Sequence, residues 1–261
     1  MFTSFLIAAL IGIAIGIISG LVGVGGGTMM IPAFRLAFGM SPIATTATSL
    51  FTIIPTSISG TVQHVRRKTC VPMLGAALGV GGACLSPLGV WLAQISPGWL
   101  VMISCAIAIG YSATTMLRKA IESPKQTSAV PGDSIPVDKP LLIKALFIGA
   151  AVGIVSGYIG LGGGFLMIPL MVSFLRMPMR IASGTSLIAV MILALPATIM
   201  QCLLGNVDYL AGIAVACGSI PGALIGARLV SRIPERALRF TFAALLGFVA
   251  IMLVAKELGA M

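Results

Sequence analysis

Two stretches of this chain place bare backbone where it can do chemistry: "GLVGVGGGTMMIPAF" at residues 20–34 and "GYIGLGGGFLMIPLM" at residues 157–171. In each, three consecutive glycines (Gly25, Gly26 and Gly27; Gly162, Gly163 and Gly164) lead into a short apolar segment that starts near Thr28 or Phe165. Pro32 and Pro169 are expected close to the start of that short helix, where a missing N–H costs least. Glycine costs backbone entropy and fills no space, so such a run needs a reason. Successive glycine N–H groups can form an anion-binding nest. The N–H groups at the start of a helix, backed by its dipole, attract anions in the same way. Glycine also permits close helix packing in membranes. Gly75, Gly79, Gly82, Gly218, Gly222 and Gly226, spaced by three or four, fit that packing use better than the loops do.

Hydroxyls follow each loop. Thr45, Thr46, Thr48 and Ser49 come after the first, and Ser183, Thr185 and Ser186 after the second. Thr48, Ser49, Thr185 and Ser186 are the candidates for contact with an anion, although Ser and Thr in helices also bond their own backbone. His64, the single histidine, titrates near neutral pH and is a candidate substrate ligand or proton-coupling group. Its neighbours Arg66, Arg67 and Lys68 equally suit an interfacial residue at a helix end. Arg35 lies among apolar residues eight positions after the first loop, where a charge is either functional or snorkels to the interface.

Other chemistries lack their residues. None of the six acidic residues falls inside an apolar stretch, so neither a carboxylate proton relay nor carboxylate coordination of a cation is expected. The five cysteines form no C-x-x-C pair, and one histidine is too few for a zinc or haem site, so no metal or cofactor is expected. No G-x-x-x-x-G-K-[ST] motif exists for ATP hydrolysis, and no Ser/His/Asp or Cys/His arrangement for catalysis.

The elements that must hold these groups are apolar throughout. Hydrophobic residues make up 58% of the 261 positions and charged ones only 8%, against about 25% charged in soluble domains. Residues 2–22, 44–65, 71–95, 98–117, 141–160, 181–204, 209–230 and 237–255 each approach the roughly 20 residues of a spanning helix. They lack the strict alternation of a membrane barrel. The expected fold is therefore an all-α integral membrane protein. Met1 to Phe5 carry no Lys or Arg, and the first apolar run has an internal counterpart at 149–157, so it is read as structural rather than as a leader. The net charge of +10 is dispersed between apolar segments without an aromatic-interleaved patch, so no nucleic-acid partner is expected.

Shifting the sequence by 137 positions aligns it with itself. Gly12, Gly16, Ser19, Gly20, all the loop glycines, Met30, Ile31 and Pro32 meet identical residues, and without a gap Thr48-Ser49-Leu50 meets Thr185-Ser186-Leu187. Thr61, Gly81 and Gly89 meet Thr198, Gly218 and Gly226. The chain thus reads as two homologous halves, 1–120 and 141–261, each with about four long helices plus one short helix after a membrane-embedded glycine loop. A Pro- and Ser-rich linker, 121–140, joins them. If each short segment counts as a crossing, every half crosses five times and the halves are inverted. With the N-terminus outside, all of the 16 Lys and Arg except Arg35 and Lys256 then face the cytoplasm, as the positive-inside rule favours. Segments 28–38 and 165–175 rise only about 17 Å as helices, so the loops before them must lie within the membrane.

The paired G-x-G-G-G-x-x-x-I-P motif, the T-S-L after each copy and the apolar two-half layout resemble the sulfite exporter TauE/SafE family of membrane permeases, over nearly the whole chain. The resemblance implies a secondary transporter of sulfur-containing anions: sulfite, sulfoacetate, other organosulfonates or thiosulfate. Substrate and direction vary within the family. The expected partners are a small anionic substrate and the lipid bilayer of a bacterial-type inner membrane; a coupling proton and a homodimer are left open. The alternatives are a passive anion channel or a membrane partner protein of sulfur metabolism, the latter with a cysteine carrying sulfur. Inversion has a direct test. Single cysteines placed at 66–68 and at 176–180 should both react from the cytoplasmic side with a membrane-impermeant thiol reagent, with the termini labelling from outside.

Overall fold

Prolines and short polar residues set the helix starts. Ser41 accepts a hydrogen bond from the Ala44 N–H at 3.3 Å, and Asp208 one from the Ala211 N–H at 3.0 Å, each covering an open N-terminal donor. Pro42, Pro72 and Pro140 stand in first turns, where no N–H is needed. In the computed structural model, residues 2–122, 138–230 and 233–258 are described, and every regular element among them is helical. These are α1 (Phe2–Val22), α2 (Gly27–Pro32, prolonged by a π-helical turn over Ala33–Ala37), α3 (Pro42–Arg66), α4 (Pro72–Ile95), α5 (Gly98–Glu122), α6 (Lys139–Ile159), α7 (Gly164–Phe174), α8 (Met179–Leu203), α9 (Tyr209–Leu229) and α10 (Glu235–Leu258). Residues 123–137 of the expected linker lie outside the described residues.

Five of these helices, α4, α5, α6, α8 and α9, are long and apolar enough to cross a bilayer. α3 has the length, at 25 residues, but not the composition, because Thr45, Thr46, Thr48, Ser49, Thr52, Thr56, Ser57 and Ser59 lie along it. All eight are buried. The outside of the bundle is the reverse: Leu203 is 83% exposed, Ile251 72% and Phe147 69%. Apolar surface outside and hydroxyls inside is the arrangement that hydrocarbon selects.

The short helices begin at Gly27 and Gly164, close to Thr28 and Phe165 as expected, but the place of their prolines changes. Pro32 and Pro169 are each the sixth helical residue and not in the first turn. At that depth a proline removes the bond to the carbonyl four residues earlier. After Pro32 the chain relaxes into the π-helical turn, whereas α7 stays α-helical to Phe174.

The halves pack reciprocally. α1 lies on α9 just as α6 lies on α4, and α3 meets α8 while α5 meets α10. A Cβ on Gly12, Gly16 or Gly20 would run into the backbone of Val215, Ser219 or Ala223; one on Gly149, Gly153 or Gly157 would strike Leu78, Gly82 or Ser86. Each contact becomes another when 137 is added to one residue and subtracted from its partner, the mark of an approximate two-fold relation. Gly218, Gly222 and Gly226 meet Ala9, Ile13 and Ile17 in the same seam. Small residues let two backbones approach until dispersion holds them, which is how helices associate in lipid.

The seam glycines should therefore tolerate no side chain. Gly218→Ala is expected to lower stability by about 1–3 kcal/mol through overpacking against Ala9. Gly110→Ala on α5, where a Cβ meets nothing within 4 Å, should be neutral or stabilising by up to about 1 kcal/mol. Thermal unfolding in detergent micelles measures both.

Candidate functional site

Both glycine loops adopt one conformation. Gly23, Gly25 and Gly26 have φ of 82°, 79° and 87°, and Gly160, Gly162 and Gly163 have 77°, 72° and 76°. Only glycine takes that region readily, so three of the four loop glycines are demanded by backbone shape. The fourth in each loop is demanded by contact: a Cβ on Gly27 would strike the Leu161 carbonyl, and one on Gly164 the Val24 backbone. The two loops therefore touch each other, backbone against backbone.

At this junction the backbone donors find no acceptor among the described residues. Within the described residues no hydrogen bond uses the N–H groups of Gly25, Gly26, Gly27 and Thr28, nor those of Gly162, Gly163, Gly164 and Phe165. All eight residues are buried. Unpaired buried N–H groups are rare and costly, and here they occur as two matched rows. Three hydroxyls add to them. Ser19 and Ser156, equivalent residues on α1 and α6, pack their Cβ atoms 3.5 and 3.3 Å from the Cβ positions of Gly26 and Gly163. Ser57 places its oxygen 3.0 Å from that of Gly25. The hydroxyls of Ser19, Ser57 and Ser156 are buried without partners. Ile53 and Val190, again equivalent, pack against both Gly25 and Gly162. The arrangement offers N–H and O–H donors between apolar walls, which suits a compact oxyanion.

The T-S-L residues hold the loops. Ser49 Oγ donates to the Gly160 carbonyl at 2.7 Å, and Ser186 Oγ to the Gly23 carbonyl at 2.6 Å. Thr48 Oγ1 accepts from the Asp208 N–H at 3.0 Å, and Thr185 Oγ1 from the Val71 N–H at 2.9 Å, tying down the turns that enter α9 and α4. Each half thus grips the other half's loop. Of the sequence candidates, Gly25 to Thr28 and Gly162 to Phe165 come together, Ser49 and Ser186 bond the loop carbonyls, and Thr48 and Thr185 reach the turns before α9 and α4 instead. Ser19, Ser57 and Ser156 were not singled out beforehand. The signal for two of them was present, since Ser19 and Ser156 match in the repeat register one turn before the first loop glycine.

Arg35 and His64 stand apart from the N–H rows. Arg35 lies in the π-helical turn at the far end of α2 and donates from Nη1 to the Met40 carbonyl at 2.9 Å. His64 is fully buried within the protein. Its Nε2 lies 3.2 Å from the Gly20 carbonyl, which can only accept, so that nitrogen carries the proton; Nδ1 faces Thr69 Oγ1 at 2.8 Å. The ring thus ties the end of α3 to α1 just before the first loop. Its equivalent Gln201 repeats half of this, accepting from Asn206 Nδ2 at 2.8 Å while its own Nε2 stays unpaired. Among the described residues no group of His, Cys, Asp or Glu is placed to hold a metal. The described cysteines are free thiols, and burial pushes that of Cys70 up to about 11, leaving little thiolate at neutral pH.

A family model described as sulfite exporter TauE/SafE matches residues 8–253. The chain is 24% identical over 268 aligned residues to the probable membrane transporter protein YunE of Bacillus subtilis (strain 168), covering 96% of each. It is 27% identical over 242 residues to the probable membrane transporter protein YjnA of the same organism, covering 91% of this chain and 94% of that one. A probable membrane transporter protein of Xylella fastidiosa (strain 9a5c) is 25% identical over 232 residues, 85% of this chain and 82% of the relative. No solved structure matches the chain significantly.

The serine grips have matched consequences. Ser49→Ala and Ser186→Ala each leave a buried loop carbonyl unpaired and should each cost about 1–3 kcal/mol. Thermal unfolding should show two losses of similar size, one for each half.

Proposed function

Because the chain belongs to the sulfite exporter TauE/SafE family, we propose that it is a secondary transporter, working as an exporter, of small sulfur-containing anions such as sulfite, sulfoacetate, other organosulfonates or thiosulfate. The observation that carries the anion is the pair of buried N–H rows where the two glycine loops meet. A sulfur oxyanion brings several acceptors on one centre, and the rows bring donors that neither lipid nor the chain satisfies. Because these dipoles are fixed before the anion arrives, little reorganisation opposes binding.

Alternating access is the natural mechanism for two related halves around a shared midplane site. In this reading the halves are inverted, the termini are outside an inner membrane, and the linker 121–140 is cytoplasmic. Four turns support it. Gly39 and Arg176 occupy equivalent positions with φ of 64° and 51°, and so do Gly205 and Lys68 with 70° and 54°. In each pair the same left-handed turn is glycine in one half and a basic residue in the other. Charge overrides the conformational preference on one side only, as the positive-inside rule requires if equivalent turns face opposite compartments. Arg180 sits beside one of the charged turns, donating from Nη2 to the Ile233 carbonyl at 3.0 Å.

Transport then proceeds by rocking of the halves, the loops moving with the helices that grip them while the anion stays on the N–H rows. Proteoliposomes should show saturable sulfite or sulfoacetate flux. Gly26→Leu and Gly163→Leu should each reduce that flux to background while folded protein remains in the membrane; undiminished flux in the doubly substituted chain defeats this site. Flux that never saturates, with single-channel currents, indicates a pore instead.

A further inference from the structure

The two halves of the site are not chemically equal, and the difference sits at Ser57. This residue is fully buried, at 0% exposure, and its hydroxyl has no partner. Nearby hydroxyls on α3 bond the carbonyl one turn back, Thr52 to Thr48 and Thr56 to Thr52, both at 2.8 Å. Ser57 lies next to Thr56 on the same helix and makes no such bond. A serine that forgoes the local bond and is sealed from water carries a desolvation cost that needs a compensating acceptor. Its oxygen is 3.0 Å from the Cβ position of Gly25, at the junction where Gly25 and Gly162 both pack against Ile53 and Val190. The equivalent residue on α8 is Ala194, also fully buried.

We propose that Ser57 is a specificity-determining ligand of the anion site, its hydroxyl donating to one oxygen of a compact oxyanion that carries no cationic group. This rests on the anion-transport reading above. The hydroxyl joins the backbone N–H groups and the matched Ser19 and Ser156 hydroxyls as the one donor without a twin, and it places the anion nearer α3 than α8. The side chains packed against Gly25 and Gly162 at this point are the apolar Ile53 and Val190 and Ser57 itself. All six acidic residues lie in the linker or at segment ends, so an ammonium on the substrate finds no counter-charge here. Sulfite and sulfoacetate fit this set; taurine, with its ammonium, does not.

The test moves the hydroxyl across the approximate two-fold. Purified wild type, Ser57→Ala and the double variant Ser57→Ala/Ala194→Ser are compared in proteoliposome flux and in thermal shift, with sulfite, sulfoacetate and taurine as probes. Ser57→Ala should fold as well as wild type, since the lost hydroxyl had no partner. It should raise KM for sulfite about tenfold at unchanged maximal rate, the size of one hydrogen bond to a charged group. The double variant should recover most of that loss, which a merely structural serine would not allow. Taurine should shift none of the three. Unaltered sulfite KM in Ser57→Ala, failure of Ala194→Ser to restore it, or a taurine shift equal to that of sulfite each overturns the proposal. If the wild type itself neither binds nor moves any sulfur anion, the transport reading fails with it, which is a different outcome.

Discussion

Broken backbone in the middle of an apolar bundle is the constraint on which everything else depends. Each glycine loop interrupts a helix where no solvent satisfies the freed peptide groups, and lipid offers nothing. The chain answers on the acceptor side only. The Gly23 and Gly160 carbonyls are held by Ser186 and Ser49 from the opposite halves, while the adjoining N–H rows are left open. Holding carbonyls and leaving donors is a polarised solution, and it gives the junction the electrostatic character of a cation without any Lys or Arg. A formal charge buried there would cost several kcal/mol of desolvation. Backbone dipoles attract an anion without carrying that charge.

The reciprocal grip also explains why the halves share so much sequence. Every residue in the seam or the junction has two jobs, one in its own half and one as the counterpart seen by the other. Gly27 must admit Leu161, and Gly164 must admit Val24, so a change in either loop disturbs the other. Against that background the departures from symmetry are informative. Pro32 is followed by a π-helical turn and Pro169 is not; His64 completes a bond to Gly20 where Gln201 leaves its nitrogen unpaired; the counterpart of Ser57 is Ala194. These differences fall on otherwise matched positions, so each is a place where the two halves are not interchangeable.

Much of this was legible in residue types and spacing. Hydropathy requires helices in lipid, and the 137-residue register pairs every loop glycine with its twin, which is why the all-α membrane fold and the two matched glycine breaks followed from the chain alone. The threonines and serines after each loop were also legible as a group. Their roles were not, because Thr48 and Ser49 differ in what their hydroxyls reach and not in type: one accepts from Asp208 and the other donates to Gly160, each more than 100 residues away. Arg35 and His64 drew attention as rare polar residues in apolar surroundings, yet both turn to nearby carbonyls, Met40 and Gly20, away from the N–H rows.

The sequence by itself determined the solvent, the repeat and the places where helices break, since burial free energy, self-similarity and glycine's freedom at positive φ are local or additive properties. Only the tertiary structure decided what the breaks face. Whether a glycine serves conformation or contact, and whether a serine such as Ser57 is satisfied or left open, depends on which backbone the opposite half brings within 3 or 4 Å. That placement is a collective outcome of helix packing, and no single stretch of the chain encodes it.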